Sequence, residues 1–75
     1  MPNDTITLTV NGDPVNCSPQ SPVTDVIAEL NYNPRLVAVE YNGEILHRQH
    51  WSETIVKEGD KLEIVTIVGG GSGKN

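Results

Sequence analysis

Only one segment of this chain repeats its apolar residues at helical spacing. Val23, Val26, Ile27 and Leu30 stand at i, i+3, i+4 and i+7, a single stripe that must be buried against some other surface. Elsewhere the apolar residues follow the period of a strand. Thr5 to Val10 alternates without a break, with Ile6, Leu8 and Val10 on one face and threonines on the other, the pattern of a half-buried antiparallel strand. Asn11-Gly12-Asp13 is a tight-turn signal, and Pro14-Val15-Asn16-Cys17 resumes the alternation. The first two strands therefore read as a hairpin, with Pro14 at the beginning of the second.

The rest of the chain completes a sheet around that stripe. Ser21 is placed to cap the helix, Pro22 to occupy its first position and Asp25 to add favourable charge there. Asn31-Tyr32-Asn33-Pro34 ends it. Leu36 to Tyr41 is nearly continuous in apolar character, which predicts a strand inside the sheet. Asn42-Gly43 turns it into Glu44-Ile45-Leu46, and Arg48 to Val56 carries Trp51, Ile55 and Val56 among polar residues, as in a short helical turn. Glu58-Gly59-Asp60 leads into a final strand, Leu62 to Val68. This order predicts an α+β fold, a ubiquitin-like β-grasp: a mixed sheet of about five strands packed on one helix. The expected division is a β-grasp domain over 1–68 and a flexible glycine-rich tail over 69–75.

Size and charge narrow the function. At 75 residues, the chain is one small domain, and with no Phe and 36% hydrophobic residues its core must come from Val, Ile and Leu. A net charge of -5 leaves no basic stripe for a phosphate backbone, so nucleic acid is not the expected partner. An acidic carrier meeting a basic groove fits better. Cys17 is the single cysteine; it reads as a buried strand residue and excludes an internal disulfide. No apolar run approaches the ~20 residues of a membrane span, and the amino terminus lacks the regions of a signal peptide. The expected location is cytoplasmic, with no membrane partner.

Few side chains offer catalysis. His47 and His50 share a polar segment without a clear carboxylate or cysteine to complete a metal site. The ending Gly69 to Asn75 is similar to a phosphate loop, but Val68 stands at its first glycine position and Asn75 at its hydroxyl position. Two other features point outward. Leu62, Ile64, Thr66 and Val68 share one face of the final strand while Glu63, Val65 and Ile67 share the other, so a sheet covered on one side leaves Val65 and Ile67 as partner-docking candidates. Beyond them, Gly69-Gly70-Gly71 makes a backbone of minimal cross-section that a narrow catalytic tunnel can admit.

The segments Val39-Glu40-Tyr41-Asn42-Gly43-Glu44-Ile45-Leu46, Arg48, Trp51, Glu58-Gly59-Asp60 and Ile64-Val65-Thr66-Ile67-Val68-Gly69-Gly70-Gly71 together resemble the ThiS sulfur carrier family of thiamine biosynthesis. The resemblance spans 5–71. It implies a protein co-substrate, not an enzyme, with no catalytic residue, metal or permanently bound cofactor of its own. In that family a ThiF-like adenylyltransferase uses MgATP to adenylate the terminal glycine carboxylate. Sulfur originating from a cysteine desulfurase then yields a thiocarboxylate, which a ThiG-like thiazole synthase consumes. The implied reactive residue is Gly70 or Gly71, with Gly69 in the tail. Ser72-Gly73-Lys74-Asn75 departs from the pattern and would block activation: it is removed, or was appended, or the copy is inactive. The nearest alternatives are MoaD, the related carrier of molybdopterin synthesis, and a β-grasp binding module that transfers nothing.

Overall fold

The structure, a computed structural model, describes residues 4–67. Five strands form one mixed sheet in the order β2-β1-β5-β3-β4: β1 Ile6–Val10, β2 Asp13–Cys17, β3 Val37–Tyr41, β4 Glu44–Leu46 and β5 Lys61–Thr66. One helix, α1 Val23–Glu29, crosses one face. This is the expected β-grasp. β5, last in sequence, lies at the centre, parallel to β1 and antiparallel to β3. β3 lies between β5 and β4, the interior place its apolar run predicts.

Both hairpins close on the same two residues. Asn11-Gly12 and Asn42-Gly43 each place two successive residues at positive φ, as the two-residue turn that matches strand twist requires. The alternation of β1, β3 and β5 then decides what is inside. Leu8, Val10, Val37, Val39, Leu62 and Ile64 meet Val23, Val26 and Ile27 of α1 in one core, joined by Cys17, Trp51 and Val56. Leu30 packs at its margin.

The helix ends depart from expectation in an instructive way. Pro22 is the cap residue, not the first helical residue, and Ser21 does not cap: its hydroxyl donates to the Ser18 carbonyl. The amide at the helix start that lacks an intrahelical partner is met by backbone instead. Val23 N–H donates to the Thr54 carbonyl and Val56 N–H to the Ser21 carbonyl, making a single bridge between Pro22 and Ile55. At the other end Asn31 adopts positive φ, with Tyr32 N–H reaching the Ile27 carbonyl and Asn31 N–H the Ala28 carbonyl. That double closure is the Schellman motif, with Asn where Gly is commonest.

Two boundaries also move. Leu36 ends a 3-10 turn, Pro34–Leu36, so β3 starts one residue later than its apolar run suggests. A second 3-10 turn, Arg48–Glu53, carries Trp51 into the core, where its Nε1–H donates to the Leu46 carbonyl at 3.0 Å. β5 ends at Thr66, and Thr66 is exposed although its parity matches Leu62 and Ile64. The expectations for Val68 and for the tail lie outside the described residues.

Candidate functional site

The geometry of the site is that of a central strand whose far end leads toward the glycine tail. β5 is held on both flanks by asparagines from the turns. Val10 is the last β1 residue paired with β5. Beyond it the Asn11 side chain takes over the ladder: Oδ1 accepts the Ile64 N–H at 2.7 Å and Nδ2 donates to the Ile64 carbonyl at 3.0 Å. On the other flank Asn42 Oδ1 accepts the Lys61 N–H at 2.8 Å, and Asn42 N–H donates to the Lys61 carbonyl. Past Thr66, Ile67 N–H donates to the Leu36 carbonyl, which continues the β3–β5 register by one step. The strand therefore stays paired up to the residue two before Gly69.

The loop that launches β5 is equally fixed. Glu58 Oε1 accepts the Thr7 N–H, Gly59 N–H donates to the Thr7 carbonyl, and Thr9 N–H donates to the Asp60 carbonyl. Asp60 in turn accepts from the Lys57 backbone N–H, the Asn42 side chain and the Tyr41 hydroxyl. Burial opposes ionisation of Asp60, but these donors outweigh it and hold the carboxyl below its ordinary value. Tyr41 is pushed up to about 12, by burial first and then by its bond and proximity to Asp60. Neither the asparagine clamps nor this carboxylate hub was read from the sequence. Asn-Gly and Glu-Gly-Asp announce turns, but side-chain partners 19 or 53 residues away carry no local signal.

The docking candidates are where alternation places them. Val65 pairs with Ala38 on the face away from α1 and is 57% exposed; Ile67 is 51% exposed. Ile45, on β4 opposite Glu40, is 70% exposed and belongs to the same outer surface. Ala38, Val39, Glu40, Ile45, Glu63 and Val65 line a shallow groove of about 210 Å³ across this open face. Gly69, Gly70 and Gly71 lie outside the described residues.

The chain offers little chemistry of its own in the described region. Cys17 is buried beneath α1, and burial together with Glu29 raises its thiol above the ordinary value, which leaves little reactive thiolate. His47 and His50 are exposed, with His50 Nδ1 3.0 Å from Glu53 Oε2. Among the described residues, no group of three potential metal ligands comes together, and no helix is long and apolar enough to cross a membrane.

Comparison with known proteins agrees with this picture. A sulfur carrier protein ThiS from Escherichia coli is 25% identical over 61 residues, which cover 81% of this chain and 92% of that protein. A thiazole synthase from Paramagnetospirillum magneticum is 43% identical over 65 residues, 87% of this chain but only 20% of the enzyme. The crystal structure of a thiamine biosynthesis protein (ThiS) from Geobacter metallireducens superposes with a TM-score of 0.77 at 38% identity, covering 88% of this chain and all of that one. The ThiS family model matches residues 8–71, from the first strand through the third glycine. With the fold, the central strand and the glycines all inside that match, this chain belongs to the ThiS family.

Proposed function

We propose that the protein is a sulfur carrier of thiazole formation in thiamine biosynthesis, bearing sulfur as a thiocarboxylate on a glycine exposed at its carboxyl end. The observation that carries this reading is the family match running through Gly71, on a fold whose central strand is paired up to Ile67. A carboxylate is a poor electrophile. Transfer of AMP from MgATP, with release of pyrophosphate, makes an acyl-adenylate; sulfur then attacks the acyl carbon and AMP leaves.

In this reading the partner enzyme performs each step, and the domain contributes position. Gly69 to Gly71 span roughly 10 Å when extended, enough to reach a recessed site from a docked domain and turn a bimolecular encounter into a positioned one. Val65 and Ile67 are the proposed docking contacts. A ThiF-like adenylyltransferase is the activating partner and a cysteine desulfurase the origin of the sulfur. For a ThiG-like acceptor, the support is the thiazole synthase in which a segment similar to this chain makes up a fifth of the same polypeptide.

Activation requires a free glycine carboxylate, so Ser72 to Asn75 must be absent from the active form, leaving Gly70 or Gly71 terminal. Chains ending at each glycine, incubated with the adenylating enzyme, MgATP and a sulfur donor, should gain the mass of one oxygen-to-sulfur replacement. If neither gains it under conditions where a known ThiS protein does, the carrier reading is wrong.

A further inference from the structure

The open face of the sheet contains an arrangement that the fold does not use. Register places Glu40 of β3 directly opposite Glu63 of β5, with Ile45 of β4 on the other side of Glu40. Cross-strand neighbours of this kind have Cβ atoms about 5 Å apart, and like charges there destabilise a sheet. Among the described residues, neither acid has an ion-pair partner. The ion pair found there is His50–Glu53; Lys61, two residues before Glu63 on the same strand, lies within 4.0 Å of neither carboxylate. The acids are flanked by exposed apolar surface, Ile45 on one side and Val65 along the strand, and all four residues line the same groove.

We infer that this groove receives an arginine side chain from a partner enzyme, its guanidinium bridging Glu40 and Glu63 and its methylene stem lying along Ile45 and Val65. The inference rests on the carrier reading and extends its docking surface inward from Val65 and Ile67. Two glutamates at paired positions on adjacent strands offer acceptors that a planar, five-donor fork can bridge, whereas an ammonium on a flexible stem is a strongly hydrated point charge. The stem explains why apolar residues flank the acids. A facing cation also removes the repulsion on binding, so the unfavourable pair becomes a source of specificity for the complex.

The test uses the chain ending at Gly70 or Gly71, whichever is activated, and the purified adenylating enzyme and thiazole synthase from the same genome. Binding is measured by calorimetry at low and moderate salt. Replacing both acids, E40Q with E63Q, should raise the melting temperature while weakening binding to at least one enzyme by about thirtyfold, with a flatter salt dependence. E63K should weaken it further, and E44Q with E29Q, which changes net charge as much as the double variant but lies off the groove, should bind within about twofold of the parent. Parent-like binding by the double variant would overturn the inference while leaving the carrier reading intact. So would self-association of the parent that the double variant abolishes, because the occupant would then be a second copy. A parent chain that binds neither enzyme would defeat the carrier reading, and the inference with it.

Discussion

Asn11 and Asn42 have two roles at once. Each accepts a positive φ that most residues resist, and each uses its amide group as a strand partner for β5. Gly at position 11 would keep the turn and lose the partner, so Asn11→Gly separates the two roles. It should destabilise the domain by about 1–2 kcal/mol in chemical denaturation, the cost of leaving Ile64 backbone groups without their bonds. Asp60 makes a second residue-scale prediction. Its carboxyl is held below the ordinary 3.8 in the folded state, so its contribution is complete above that value and is lost as pH falls through the folded value. Melting temperature should decline below about pH 4, and the decline should be shallower in Asp60→Asn. An equally steep decline in the variant would place the acid sensitivity elsewhere.

At the scale of elements, α1 shows how a short helix persists without a side-chain cap. Seven residues are too few to stand alone in water, and its stability comes from the buried stripe and from backbone partners at both ends. Ser21→Ala should therefore change stability by less than about 0.5 kcal/mol, against the ~1 kcal/mol expected of a true cap. Asn31→Ala should cost about 1 kcal/mol because it retains the left-handed closure without a residue suited to it, while Asn31→Gly should be close to neutral. Thermal melts of the three variants check the ordering. If Ser21→Ala costs more than Asn31→Ala, the account of both ends is wrong.

Across the whole molecule, the strand made last is the strand every other element needs. β5 joins the β1–β2 hairpin to the β3–β4 hairpin, and Leu62 and Ile64 sit beneath α1 in the core. The same strand presents Val65 and Ile67 to solvent, so core and docking surface are two faces of one element. Replacing both by serine should leave stability within about 0.5 kcal/mol, as for surface positions generally. It should weaken binding of the adenylating enzyme or the thiazole synthase by about tenfold or more if these are anchors. Unchanged binding of both enzymes would remove Val65 and Ile67 from the proposed interface.

The sequence by itself determined the element types, the two Asn-Gly hairpins, the apolar faces and the family. These follow from local rules: period two or period 3.6, a turn that demands positive φ, and a string of characteristic segments from Val39 to Gly71. It also placed Val65 and Ile67 on the outer face, since alternation alone separates them from Leu62 and Ile64. Only the tertiary structure decided that β5 is central and parallel to β1, that Asn11 reaches Ile64 and Asn42 reaches Lys61, and that backbone from Thr54 and Ser21 serves in place of a serine cap. It alone set Glu40 against Glu63. Those facts depend on register between segments distant in the chain, and register is chosen by the collective burial of a core, for which no single stretch of residues carries the information.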